Sequence, residues 1–594
     1  MTNNALGKLY EYKISDLRNT STAKLESIQF LKLLEGADSL LGFPQLPNLI
    51  ELDLSHQCLP SLENFPNLKN IQKLKLVDNY MKNIDALANF TELTELSLRD
   101  CDDLENLDAL KKLSKLRKLD LRDCLSLENI DVLAYLENLE ELQIIGHPSL
   151  EKDNNVLSKL KILTTLGIYG YSEPEEDGPF YLRKIGSLNI PNLKTINLQD
   201  CYELKNLDGL QPLKQVVSVN IENCRKLTCL QGLSNMKNLQ SLKIENCGLL
   251  NNLDFLTNHS YLKKLEIKCC LSLTNIEGLS NLKQLKDLVF LENTWNLEDS
   301  KPLKNLEQLQ FLNVNNVQNI KWLENLLNLK SLTMRCYQSG SFQGITNLKH
   351  LTKLDLCHGP LKIFFPIKQL KNLKELRLHH WDSLEKLGSV KNLTVLESLE
   401  LSCCPLLKSI DGLAYTQMKT LSLWACSNLK TIKNIDKLKN LRYLNLNCCR
   451  SLKASELQNI KLLTNLIELY LNDTNITSNG LQHIKSLTNL TTLDLSHTKI
   501  SDYGLQHIKS LTNLTTLDLG HTKISDYGLR HIKSLTNLTK LNLSYTKISY
   551  SGLQHIKSLT NLTTLDLSHT KISDSELQHI RSLVNFAIIK KTYY

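Results

Sequence analysis

The chain has 594 residues, of which 42% are hydrophobic and only 6% aromatic, and its 70 Lys and Arg against 62 Asp and Glu give a formal net charge of +8. So few rings leave a core built from Leu and Ile, and the intermixed charge excludes the clustered basic footprint of a nucleic-acid-binding protein. No window holds 18 apolar residues, and the opening MTNNALGKLYEYKISDLRN has no apolar run of leader length, so a soluble chain without Sec targeting is expected.

Residues 1–48 carry no repeat. LESIQFLKLL, Leu25 to Leu34 with Gly36 just beyond, has apolar residues at helical spacing. It is expected to be a short amphipathic helix in an N-terminal helical cap over the first repeat. From Leu49 onward the frame L-x-x-L-x-L recurs. Its first positions fall at 49, 71, 93, 116, 139 and 163, then 193, 216, 239, 262, 285, 309, 329, 351, 373, 396, 418 and 441, and finally 466, 490, 514, 538 and 562. That makes 23 units, mostly 22 to 24 residues apart. Self-similarity at this period means a solenoid, in which each unit packs only on its neighbours. Each L-x-L alternation predicts a short strand with two buried side chains. At about 4.8 Å per strand, the strands would line a concave parallel sheet on the order of 100 Å along its curve.

The units are of two ages. Those in 49–465 are diverged. Those in 466–583 are near-identical 24-residue copies of LTTLDLSHTKISDYGLQHIKSLTN. The older connections predict a short helical or 3₁₀ turn; in the younger ones DYGLQHIKSLT has helical spacing, with Ser501-Asp502 placed to cap it. Residues 169–188, YGYSEPEEDGPFYLRKIGSL, break the period. Their Pro, Gly and acids (Glu173, Glu175, Glu176, Asp177) read as a protruding insertion, either tolerated or used for contacts. Residues 584–594 form a C-terminal cap: Val584 to Ile589 is expected to add a last strand, with the basic and tyrosine tail covering the edge.

The ninth position of each unit holds Asn79, Cys101, Cys124, Cys201, Cys224, Cys247, Cys270, Asn293, Cys404, Cys426 and Cys449, then Thr474, Thr498, Thr522, Thr546 and Thr570. Small polar side chains in such a column can satisfy buried backbone groups. Nine of the 16 cysteines are thereby explained without chemistry. The pairs Cys269-Cys270, Cys403-Cys404 and Cys448-Cys449 each contain one column residue, so they are not read as zinc ligands, and no metal or cofactor is expected. Unpaired cysteines at repeat spacing fit a reducing compartment. Triplets such as Asn489-Leu490-Thr491 belong to the repeat itself.

The motif set resembles the leucine-rich repeat family, with Cys or Thr at the ninth position. Cys-bearing units such as LRKLDLRDCLSLENIDVL look like those of cytosolic regulatory repeat proteins, and the TKISDYGLQHI units look like bacterial repeats. The resemblance implies an α/β solenoid of about 23 repeats, a leucine-rich repeat horseshoe with a parallel concave sheet that binds a protein partner. The third, fifth and seventh positions face outward on that sheet. Units from 329 to 466 place Arg335, Arg377, His379, Trp424, Tyr443 and Tyr470 there, and Trp, Tyr and Arg are common interface anchors. Trp424, Tyr443 and Tyr470 on successive strands are expected to form one patch. The charged positions of earlier units, among them Arg99, Asp120, Arg122 and Glu141, read as a solvated face. The His columns His497, His521, His569 and His483, His507, His531, His555, His579 read as products of duplication.

No G-x-x-x-x-G-K-[ST], G-x-S-x-G or H-E-x-x-H occurs. The sequence therefore points to a non-enzymatic, monomeric protein-interaction scaffold, cytoplasmic in its own cell or in a host's, with no nucleic acid as partner. The alternatives are a substrate receptor or host-directed effector of the ubiquitin system, and a surface or secreted adhesin.

Overall fold

The computed structural model describes residues 9–34, 39–63, 68–153, 155–170, 182–291, 301–315, 320–335, 343–360, 362, 366–387, 390, 392–411, 413, 417–573, 575–576 and 588–590. Two compact units divide the chain: an N-terminal one of Met1–Trp295 with Lys301–Leu309, and a C-terminal one of Asn296–Ser300 with Gln310–Tyr594. Among the described residues each unit holds thirteen strands, from Leu9–Tyr12 to Asp287–Leu291 in the first and from Phe311–Val314 to Ile588–Lys590 in the second. Within each unit successive strands pair in parallel and without slippage, so that equivalent positions of successive repeats stand opposite one another, as in Leu493↔Leu517 and Leu242↔Leu265.

All 23 units of the frame form a strand, and three more strands are added. Two precede Leu49, and one corrects the sequence expectation: Phe30–Leu33 is a strand paired to Glu51–Asp53, where a helix was expected. Ile28, Leu31 and Leu33 are buried in the three apolar slots of the same frame. The neighbouring strand offers hydrogen bonds that an isolated turn of helix cannot match. The α-helix here is confined to Thr22–Glu26. The third added strand is Ile588–Lys590, pairing with Thr564–Asp566; residues 584–587 of the expected last strand lie outside the described residues.

Each repeat buries its aliphatic set almost completely. In the unit from 490, Leu490, Leu493, Leu495, Ile500, Leu505, Ile508 and Leu511 are all at 0% exposure. At about 1.5–3 kcal/mol per buried side chain, this is the dominant favourable term. The connections are mainly 3₁₀ turns, such as Asp131–Tyr135, and the younger repeats carry one-turn helices, Asp502–Leu505 and Asp526–Leu529. Ser501 occupies the N-cap but makes no side-chain cap bond. Asp502 instead reaches the next repeat, accepting from the Ser525 N–H at 2.7 Å.

The eighth residue of a unit turns the chain. Among the described residues it is left-handed in eighteen units, from His56 (φ 61°) through Ala425 (57°) to His569 (56°). That conformation is costly for residues other than Gly, Asn and Asp, and it aims the ninth side chain inward. The ninth-position column works in two ways. Asn79 donates to the Leu54 carbonyl of the preceding repeat at 3.0 Å, and Cys101, Cys124 and Cys449 make the same inter-repeat contact at 3.1, 3.0 and 3.1 Å. Thr474, Thr498, Thr522 and Thr546 donate within their own repeat, at 2.5–2.7 Å. Asn293 lies outside the described residues. In the units from 351 and 373 the column is filled differently: position 359 is Gly, and Trp381, fully buried, spreads into the vacated space and donates its indole N–H to the Leu356 carbonyl at 3.2 Å.

A second column runs along the turn before each strand. Asn489, Asn513, Asn537 and Asn561 donate their side-chain amides to carbonyls of the preceding repeat at 2.9–3.0 Å. These are the Asn of the recurrent N-x-T triplets, so the triplet has a structural use.

Candidate recognition face

Period-two alternation buries the fourth and sixth residues of each unit and turns the third, fifth and seventh to the open face of the sheet. In-register pairing then sorts the outward residues into rows. In the C-terminal unit one row runs Arg335↔Cys357↔His379↔Ser402. Trp424 continues it: Ser422 pairs with Glu400, Trp424 lies two residues further on, and its carbonyl accepts from the Cys403 N–H at 2.9 Å. The adjacent row carries Asp355, Arg377 and Glu400.

The six sequence-chosen residues thus share one face but not one cluster. Tyr443 and Tyr470 meet, with ring centroids 5.4 Å apart. Tyr470 donates its hydroxyl to Glu468 at 2.7 Å, and burial together with that carboxylate raises its pKa. Trp424 stands apart from both. It is a seventh-position residue and Tyr443 a third-position one, and four residues of strand at about 3.3 Å each separate their rows by roughly 13 Å. The expected three-ring patch is therefore a tyrosine pair and a separate tryptophan, 44% exposed.

The charged members differ in whether they are already satisfied. Arg377 lies 3.4 Å from Glu400, and His379 3.7 Å from Asp355. Burial raises the pKa of Asp355, against the pull of His379 and Arg377. Arg335, exposed at the end of its strand, has no ion-pair or hydrogen-bond partner for its guanidinium among the described residues. It shares a row with the exposed Trp424.

The N-terminal unit has a face of a different kind, and one feature of it escapes the sequence reading. Glu51, Lys73, Glu95, Lys118 and Glu141 stand opposite one another on five successive strands with alternating sign. Lys73 pairs with Glu95 at 3.1 Å and Lys118 with Glu141 at 3.6 Å. Arg122 grips Asp120 through two bonds of 2.9 and 2.7 Å and lies 5.1 Å from the Tyr169 ring. All of these except Glu51, together with the small Ser97, line a cavity of about 370 Å³. Tyr169 belongs to the strand Thr165–Tyr169 and is not part of the insertion; its place as seventh residue of the unit from 163 was the available signal. Gly167 makes room for it: a Cβ there would come within 2.0 Å of the Gln143 Oε1 that accepts from the Tyr169 hydroxyl. The acids Glu173, Glu175, Glu176 and Asp177 lie outside the described residues.

Among the described residues no group of three or more His, Cys, Asp and Glu is arranged to hold a metal ion, and no helix is long and apolar enough to cross a membrane. The described cysteines are free thiols. Burial raises the Cys101 pKa to about 12.

Comparison with known proteins agrees with this architecture. Residues 417–591 match the model of a leucine-rich repeat region, 108–248 that of the leucine-rich repeats of RPS2-like plant disease resistance proteins, and 54–151 that of a BspA-type leucine-rich repeat region. No curated protein matches the chain. Among solved structures, the TLR13–ssRNA13 complex aligns with a TM-score of 0.55 at 18% identity, over 93% of this chain and 76% of that one. An internalin (inlF) from Listeria monocytogenes aligns at 21% identity and a TM-score of 0.36, over 64% of this chain and 88% of that one. The plant peptide hormone receptor RGFR1 in complex with RGF2 aligns at 18% identity and a TM-score of 0.41, over 95% and 97%.

Proposed function

Since this chain is a leucine-rich repeat protein, we propose that it is a non-enzymatic scaffold that binds a protein partner on the open face of its C-terminal unit, in a cytosol of its own or of a host. One observation carries the reading. An exposed Trp424 and Arg335, whose guanidinium has no partner among the described residues, lie in one row, while the neighbouring Lys353, Arg377 and His379 each face a carboxylate. A large ring and a free guanidinium on a rigid sheet gain most when a partner covers them. Between them in that row lie Cys357 and His379, half-buried, and Ser402, buried.

The partner is found by capture with the full chain and mass spectrometry, and its affinity is then measured by calorimetry. Trp424→Ala with Arg335→Ala is expected to weaken binding by at least about tenfold, as for a central anchor, and Tyr443→Ala to act separately because it occupies another row. Unchanged affinity in both variants would end the proposal. The same substitutions lie on the surface, so the melting temperature should stay within a degree or two.

A further inference from the structure

The younger repeats hold lysines that, among the described residues, are in no ion pair. Over 466–583 eleven Lys and Arg are nearly balanced by nine Asp and Glu, but within 490–573 nine cations meet five Asp and no Glu. The five carboxylates are occupied elsewhere. Asp494, Asp518 and Asp566 accept from backbone N–H groups two residues on at 2.9 Å, and Asp502 and Asp526 accept from Ser525 and Ser549 of the following repeats at 2.7 Å. Among the described residues no lysine from Lys485 to Lys571 is in an ion pair. In the N-terminal unit, by contrast, lysines repeatedly find a carboxylate across one repeat.

Four of these unpaired cations form a column. Lys499, Lys523, Lys547 and Lys571 are exposed, one per repeat. Each backbone N–H is fixed to an Ile carbonyl of the preceding repeat at 2.9–3.2 Å. Two residues before each lysine stands a ring, and the rings stack: His497 on His521 at 3.9 Å, His521 on Tyr545 at 3.9 Å, Tyr545 on His569 at 4.1 Å, all within 22° of parallel. The stack consumes the ring faces and leaves edges and lysines outward.

We propose that this edge binds an acidic stretch of extended polypeptide, its carboxylates lying along the lysine column. The site is separate from the open face of the sheet. Uncompensated cations on a rigid frame attract an anionic chain over a distance and hold it without reorganisation. The choice of polypeptide follows from the side chains. A single-stranded nucleic acid is held by free aromatic faces on which bases stack, and here the faces are used up. Three inter-repeat steps of about 4.8 Å span roughly 15 Å, the reach of about five extended residues.

The test uses the full chain and a fluorescent twelve-residue peptide of alternating Glu and Ser, read by anisotropy at low and physiological salt. A variant with Lys499, Lys523, Lys547 and Lys571 all changed to Gln is expected to bind at least about tenfold more weakly, with the salt dependence largely gone. The control changes the same charge on the other column, Lys485, Lys509, Lys533 and Lys557 to Gln, and should lose less than about twofold. Trp424→Ala should leave this binding intact, which separates it from the partner site above. Equal losses in the two quadruple variants would reduce the effect to net charge and overturn the proposal. So would an unaffected first variant, or tighter binding of oligo-dT or phosphatidylserine vesicles than of the peptide through the same four lysines.

Discussion

Changing Gly359 to Ala, a single added methyl, is expected to disturb two repeats, and the size of the effect follows from the geometry. A Cβ at position 359 would lie 2.3 Å from both Cε2 and Cζ2 of Trp381, more than an ångström inside van der Waals contact. The indole is fully buried and tethered through its N–H to Leu356, so it has no free direction in which to retreat. Overpacking of this kind costs about 1–3 kcal/mol. Trp381→Cys restores the usual ninth residue but leaves the indole volume empty beside Gly359, at a cost of about 3–5 kcal/mol. Gly359→Ala with Trp381→Cys gives the added methyl the space that the indole leaves and should recover part of the loss, giving a coupling of about 2 kcal/mol or more. A repeat array opens locally, so the measurement is amide hydrogen exchange of the strands Lys353–Cys357 and Glu375–His379 in all four proteins. If the two single losses simply add, with coupling below about 0.5 kcal/mol, the shared-volume argument is wrong.

Two further predictions concern the columns and the titrating groups. Asn513→Ala removes the amide bond to Thr488 of the preceding repeat and should lower the local opening free energy by about 0.5–1 kcal/mol, seen as faster exchange on either side of that turn; an unchanged rate would mean that the bond contributes nothing in water. For pH, His259 is fully buried with Nε2 3.1 Å from the Leu233 carbonyl, and burial lowers its pKa. The unfolded chain then binds the extra proton, so stability falls as pH drops below about 6.5. Asp123 has the opposite sign. Burial, with Asp100 beside it, raises its pKa to about 6, so the folded state holds its proton longer and loses stability as pH rises from about 4 to 6. Thermal melts should therefore find Asp123→Asn more stable than the parent at pH 7, with the difference gone at pH 4, and His259→Gln should flatten the acid limb. A constant Asp123→Asn difference across that range would refute the assignment.

Much of the candidate face was legible before the structure, because period two alone decides which side of a strand a residue occupies. Arg335, Arg377, His379, Trp424, Tyr443 and Tyr470 all emerge on the open face for that reason. Their grouping was also latent in the frame: Trp424 is a seventh residue and Tyr443 a third, and parallel in-register pairing keeps those rows apart. Tyr169 was misplaced because Pro and acids just beyond it draw attention to the loop and away from the strand that it ends. The segment from Leu25 was misread because Ile28, Leu31 and Leu33 satisfy the repeat frame as well as a helical spacing. Only the neighbouring strand at Glu51–Asp53 settles which is adopted.

The sequence by itself determined the solenoid, since the repeat spacing and the Leu slots admit one way of burying every unit. It also determined which side chains point inward and which point out. Tertiary structure alone decided what those side chains do to one another. That Trp381 occupies the volume left by Gly359, that four rings stack face to face from one repeat to the next, and that carboxylates of the younger repeats are held by N–H and hydroxyl groups while their lysines find no ion pair among the described residues are matters of distance between residues some 22 to 25 positions apart. Periodicity fixes the direction of a side chain, whereas hydrogen bonds and ion pairs depend on ångström-scale separations that exist only once neighbouring repeats have been stacked.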